Sequence, residues 1–147
     1  MHWLNESRRN MESLLSDVEI LVILYRYITG TELPRLVNGR VLYEGTRPLD
    51  SRSEDIVLAF NSGNIADYQQ SYLYVRIYVD DFDNGSGVKV KDLDRCKAIA
   101  GVCNRIFKEV AEGDYIFSLD EVPHSNNRVD VAQQHVVTCK LLFENNY

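Results

Sequence analysis

From Ser71 to Val79 the chain alternates without a break between two kinds of side chain, and no other stretch so narrows what it can fold into. Leu73, Val75, Ile77 and Val79 fall on one face of an extended strand, and Tyr72, Tyr74, Arg76 and Tyr78 on the other, because successive strand residues point to opposite sides. An aliphatic face of that length must be covered, so the strand belongs to a sheet with a core layer against one side. The second face joins apolar bodies to polar tips, a composition suited to half-burial at a protein interface.

Periodicity places the other elements around this strand. Met11, Leu14, Leu15, Val18, Leu21, Val22, Tyr25 and Ile28 recur at helical spacing over residues 11–29, and Gly30 supplies a stop. Ile20, Ile23, Leu24 and Tyr27 widen the apolar arc beyond what one sheet contact requires, so this flank either sinks into the same core or meets a second subunit. Residues 41–44 and 55–61 read as strands, the latter with Ile56, Leu58 and Phe60 on one face, separated by a polar loop at 45–53. Ser62-Gly63-Asn64 is a turn signal that leads into the strand at 68–80, its antiparallel partner.

Residues 81–87 form a turn-rich loop, after which Asp92 can cap a second helix reaching about residue 112. Its stripe is Leu93, Cys96, Ile99, Ala100, Cys103, Ile106, Phe107 and Val110, and Gly113 ends it. A strand at 115–119, a loop at 120–128 and a strand at 129–144 complete the chain, the last with Val131, His135, Val137, Cys139, Leu141 and Phe143 on one face. The order α-β-β-β-α-β-β predicts one α+β domain over residues 1–147: two layers, a mostly antiparallel sheet of about five strands, and two helices on one face.

A net charge of -6, with no basic run longer than Arg8-Arg9, disfavours a phosphate-gripping surface and hence tight nucleic-acid binding. Three cysteines, an odd number, argue against a disulfide framework. Cys96 and Cys103 share a helix face but sit roughly 10 Å apart along its axis, too far to bond. All three are expected as small buried hydrophobes in a reducing, intracellular compartment. The longest apolar run, Ile20 to Leu24, is far below the ~20 residues a bilayer requires, and Glu6, Arg8 and Arg9 do not open a signal peptide, so the chain is expected to be soluble and unexported.

The candidates for chemistry are sparse. Asp80, Asp81, Asp83 and Asn84 resemble a cation loop, but the EF-hand register fails at Gly85 and no Glu stands at the twelfth position. His2, His124 and His135 lack ligand spacing, and His135 stands about 13 Å along a strand from Cys139. A Cys/His enzyme would have to combine His124 with Cys139, and a paired-acid site would have to draw on Asp50, Glu54 and Asp55 beside Ser51 and Ser53, which are expected as solvated or capping groups. Gly63, Gly85 and Gly87 form no phosphate-binding pattern. No catalytic residue, cofactor or metal is therefore expected. Trp3 and Leu4 can anchor a partner or pack on the chain's own first helix. A small cytosolic enzyme, and a module that binds a peptide along an exposed sheet edge, remain as alternatives.

With this order of elements, the strand start Glu54-Asp55-Ile56-Val57, the alternating Tyr74-Val75-Arg76-Ile77-Tyr78-Val79 and the late Arg128-Val129-Asp130 to His135-Val136-Val137 stretch resemble the tail terminator, or tail completion, proteins of long-tailed bacteriophages and related head-tail joining proteins. The likeness is one of layout and texture from about residue 13 to 143. It implies a virion protein made in the bacterial cytoplasm, whose copies close into a ring, typically of six, that caps the tail tube and docks on the head connector. In such a ring Tyr72, Tyr74, Arg76 and Tyr78 would form one subunit contact and Ile20, Ile23, Leu24 or Tyr27 the complementary one, since head-to-tail closure needs two different surfaces. Asp80, Asp81 and Asp83 would line a lumen that DNA crosses without adhering, and the loops 45–53 and 120–128 would reach partners.

Overall fold

The computed structural model describes residues 14–65, 68–129 and 133–145. Helix α1 (Asp17–Thr29) starts from a capping box: the Glu19 N–H donates to Ser16 Oγ at 3.2 Å, and the Ser16 N–H donates to Glu19 Oε1 at 3.1 Å. Such a cap contributes about 1 kcal/mol, and it sets the helix start at Asp17 while Leu14 and Leu15 lead in. Ile20, Leu24 and Ile28, four residues apart, form the buried line, whereas Val18 is 63% exposed. The expectation that Ile20 and Leu24 meet a second subunit is thereby overturned, because the i, i+4, i+8 line of large aliphatics gives the best seat on the sheet.

A short helix α2 (Leu33–Leu36) leads to β1 (Val41–Tyr43), which runs parallel to β2 (Ile56–Ile65). β2 pairs antiparallel with β3 (Gln69–Asp80), with a register shift between Phe60 and Ser62 that absorbs one residue and lets pairing continue through the expected turn at 62–64. After β3 come a separate two-stranded sheet, β4 (Phe82–Asp83) with β5 (Lys89–Val90), and helix α3 (Leu93–Phe107). Asp92 caps α3 as expected, its carboxylate accepting from the Arg95 N–H at 3.1 Å.

Helix α3 ends at Phe107 rather than near residue 112. Residues Glu109–Glu112 (β6) instead pair with β7 (Tyr115–Leu119) around Gly113 and Asp114. The φ of +63° at Gly113 suits a two-residue hairpin turn, which wins over a helix stop. The expected loop at 120–128 contains β8 (His124–Val129), and β9 (Gln134–Asn145) closes the chain. β7 and β8 both pair with β9, β7 along its C-terminal half and β8 along its N-terminal half.

The fold is α+β, with an open, mostly antiparallel sheet. Among the described residues the main sheet has seven strands, ordered β1-β2-β3-β9-β7-β6 with β8 beside β9, two more than expected because β6 and β8 join it. The core lies between one sheet face and the helices. Leu58, Leu73, Val75, Ile77, Cys139, Leu141, Phe117 and Phe143 meet Ile20, Leu24 and Ile28 of α1 and Ile99, Cys103 and Phe107 of α3. Among the described residues no helix is long and apolar enough to cross a membrane.

Candidate functional site

The helices cover one face of the sheet. On the other, the β3 register sets Tyr72, Tyr74, Arg76 and Tyr78 between Val57 and Ala59 of β2 and Val136, Thr138, Lys140 and Leu142 of β9. The tyrosines are half-buried, and Val57, Ala59, Val136 and Thr138 between them are buried. The phenolic plate is thus a thin cover in place of a helix layer.

Each of its rings carries a cation. The Arg47 guanidinium lies 3.6 Å from the Tyr78 ring centroid, Arg76 4.9 Å from Tyr74, and the Lys140 ammonium 4.7 Å from Tyr72. Each cation also meets a carboxylate: Arg47 with Asp55 at 2.9 Å, Arg76 with Glu44 at 3.7 Å, and Lys140 with Asp120 at 3.3 Å. Three ring–cation–carboxylate stacks therefore stand side by side, each cation–ring contact contributing about 0.5 to 2 kcal/mol with desolvation. Their ring faces are occupied by their own cations, so the plate is a poor stacking platform for bases or sugars. It presents fixed ring edges, hydroxyls and paired charges, which suits a protein surface and lowers the ordering cost of docking.

The Arg47 stack is the most buried of the three. Its guanidinium donates to Ser51 O and Ser53 O at 3.2 Å each and to Gln134 Oε1 at 3.1 Å, while Ser51 Oγ donates to Asp55 at 2.6 Å and the Arg40 N–H donates to Asp55 at 3.1 Å. Burial is the largest single influence on the Asp55 carboxyl and opposes its ionisation. The hydrogen bonds from Ser51, Arg40 and Arg47 and the Arg47 charge together outweigh it, holding the carboxyl below its usual range. On the helix side Glu54 accepts from Arg95 Nε and Nη2 at 2.7 Å each. Gly39 lets that backbone approach, since a Cβ there would lie 2.4 Å from the Glu54 carbonyl. Glu54 and Asp55, expected as solvated or capping groups, are buried ion-pair partners, Asp55 pinning the 45–53 loop through Arg47 and Ser51, and Asp50 alone of the three stays exposed.

The lumen acids divide. Asp81 is buried, its carboxylate 2.6 Å from His135 Nδ1 and 3.8 Å from Arg128 Nε, so it faces the interior and lines nothing. Asp80 is exposed and accepts from Gln134 Nε2 at 2.9 Å, and Asp83, also exposed, accepts from the Gly85 and Gly87 N–H groups. Among the described residues no three His, Cys, Asp or Glu side chains gather as metal ligands.

The enzyme candidates are not brought together. Cys139 faces the helix layer, whereas His124 pairs with Thr138 on the opposite face. The Cys139 thiol is hydrogen-bonded to Cys103, which with burial pushes its pKa far up, and burial also raises that of Cys96. Both thiols are expected to resist iodoacetamide in the native protein at pH 8 and to react once urea unfolds it, which counting labelled cysteines by mass spectrometry checks.

Of the α1 flank, Ile23 and Tyr27 stay half-buried beside a groove of about 430 Å³ that also includes Arg26, Glu112 and Tyr115. The Tyr27 hydroxyl donates to Ile106 O at 2.5 Å, anchoring the ring. His2, Trp3, Leu4, Met11 and Val131 lie outside the described residues. No protein-family model matches the chain, and no curated protein is significantly similar to it.

Sequence alternation located the plate and its own cation Arg76, but the other two cations come from other elements. Lys140 was readable, since it sits between Cys139 and Leu141 and must face away from the core. Arg47 and the carboxylates Glu44 and Asp120 lie at loops and strand ends, where no periodicity orients a side chain.

Proposed function

We propose that this chain is a virion assembly subunit of a phage or prophage, a tail terminator or related head-tail joining protein, whose copies associate into a ring that caps the tail tube and docks on the head connector. The observation that carries this reading is the open sheet face, a plate of three tyrosines ordered by its own ion pairs and, among the described residues, left uncovered by any helix. A surface organised in advance loses little entropy on association, which is what a protein that works by docking requires. The resemblance of residues 54–57, 74–79 and 128–137 to the tail terminators supplies the setting. Asp80 and Asp83 remain available to a lumen wall, and an enzymatic site built from His124 and Cys139 would need both on one face.

The plate is tested by Tyr72→Ser combined with Tyr74→Ser, which spares the Arg47–Tyr78 stack. The variant is expected to keep its circular-dichroism spectrum while its light-scattering mass falls toward the 16.9 kDa of one chain. At about 1 kcal/mol for each truncated interface tyrosine, association weakens by roughly 30-fold. A folded double variant that keeps the wild-type mass would remove the plate from the interface.

A further inference from the structure

The sequence holds two Asn-Gly pairs, Asn38-Gly39 and Asn84-Gly85, and the fold treats them in opposite ways. An asparagine before glycine is prone to losing its side-chain amide, because the following peptide nitrogen can reach the side-chain carbonyl carbon and glycine has no Cβ to obstruct the ring that forms. We infer that Asn84, at the tip of the β4–β5 hairpin, is a site of spontaneous deamidation in the folded protein, and that Asn38 is protected from the same reaction. This chemistry requires no contact between copies, so it stands or falls independently of the ring reading.

The hairpin tip holds every group the reaction needs. Residues 82–90 are all exposed, and a Cβ on Gly85 would meet nothing within 4 Å, so water and the ring have room. Asn84 Oδ1 accepts from the Ser86 N–H at 3.2 Å. That bond curls the side chain back along the peptide that follows it, and sets a donor where negative charge develops as the carbonyl is attacked. The attacking nitrogen belongs to Gly85. Its N–H donates to Asp83 Oδ1 at 2.8 Å, so a carboxylate lies within reach of the proton that this nitrogen must lose.

The step balances with water as the one co-reactant. The Gly85 nitrogen bonds to Asn84 Cγ as its proton passes to Asp83, the bond from Cγ to the side-chain nitrogen breaks, and ammonia leaves with that proton. The succinimide so formed takes up one water at either carbonyl, which gives aspartate or isoaspartate. Either product adds one negative charge to a chain whose net charge is -6, close to Asp80 and Asp83. Isoaspartate also lengthens the backbone of the turn by one carbon, and the hairpin it closes rests on the pairs Phe82–Val90 and Asp83–Lys89.

Asn38 is engaged by the core of the fold. Its Oδ1 accepts from the Glu54 N–H at 2.8 Å, and its own N–H donates to Glu54 Oε1 at 3.2 Å, so its carbonyl turns toward Gly39 only by breaking that pairing. The peptide after it is pinned as well. A Cβ on Gly39 would lie 2.4 Å from the Glu54 carbonyl, and the Arg40 N–H donates to Asp55 at 3.1 Å. Glu54 is in turn gripped by Arg95, so the whole segment resists the rotation that ring closure demands.

Trypsin separates the two sites, releasing residues 36–40 with Asn38 and residues 77–89 with Asn84. The full-length folded protein is aged near neutral pH, and each peptide is followed by mass spectrometry for the gain of about 1 Da that comes with replacing an amide by a carboxylate. Asn84 is expected to convert roughly tenfold or more faster than Asn38, and the two rates to converge when the chain is aged in urea. Asp83→Asn, which keeps an oxygen for the Gly85 and Gly87 N–H groups but is no base, is expected to slow conversion at Asn84 by roughly tenfold. Equal rates at the two sites in the folded protein, or an Asn84 that survives in the folded chain and converts in urea, would overturn the site. A wild-type rate in Asp83→Asn would overturn the part given to Asp83.

Discussion

Leu24→Ala is expected to destabilise the isolated subunit by about 3 kcal/mol, and to do so equally at every protein concentration. Leu24 is fully buried between α1 and the sheet, together with Ile20 and Ile28 and against the β-strand aliphatics. Removing its isobutyl end deletes buried apolar atoms and leaves a cavity that the surrounding strands close only in part, which costs about 2 to 5 kcal/mol in well-packed cores. For a chain of this size that lowers the melting temperature by roughly 6 to 12 °C. Were Leu24 part of a subunit contact, the substitution would instead shift assembly and leave the monomer's melting unchanged. Thermal unfolding at two concentrations a hundredfold apart, using the Tyr72→Ser/Tyr74→Ser background to keep the chain dispersed, separates the two.

Asp55→Ala is expected to cost about 3 to 5 kcal/mol, because it strands a guanidinium that has little access to water. The side chain of Arg47 is 11% exposed and that of Asp55 1%, so neither charge has solvent to fall back on. The loss reaches the open face, since the same guanidinium covers Tyr78 and holds Gln134. The pH dependence carries a definite sign. The folded Asp55 pKa is depressed, so its contribution is present in full above the ordinary carboxylate value of about 3.9 and is lost as pH falls through the folded value. The stability gap between wild type and Asp55→Ala, read from urea melts, is therefore expected to be constant from pH 7 down to about 5 and to narrow below about 4. A gap that widened on acidification would show that Asp55 is not held ionised by this network.

The strands at β2, β3 and β9 were legible because period-two alternation is unambiguous where one face is core, and Ile56, Leu58, Val75, Val137 and Cys139 took the predicted side. The elements that went astray were short and polar. Glu109–Glu112 carries only Val110 and Ala111 as apolar residues, so it could extend a helix as well as form an edge strand, and only the Gly113-Asp114 pair marked the hairpin. His124–Val129 has almost no apolar content and is a strand because β9 offers it an edge. The phase of α1 was misjudged because apolar residues surround most of that helix, and the Ser16/Glu19 capping box, visible in the sequence, was the better guide to where it begins. The lumen role expected of Asp81 and the solvated or capping role expected of Asp55 give way to buried ion pairs, since nothing local in a sequence reveals that His135 or Arg47 folds back over them.

We propose that this chain acts by associating with copies of itself through surfaces prepared on one open sheet. Particle imaging of the purified wild-type protein, matched to its solution mass, tests it most directly. Closed annuli of one size are expected, with a mass that is a whole multiple of 16.9 kDa and more than two copies. A single species at 16.9 kDa across the whole accessible concentration range would contradict it.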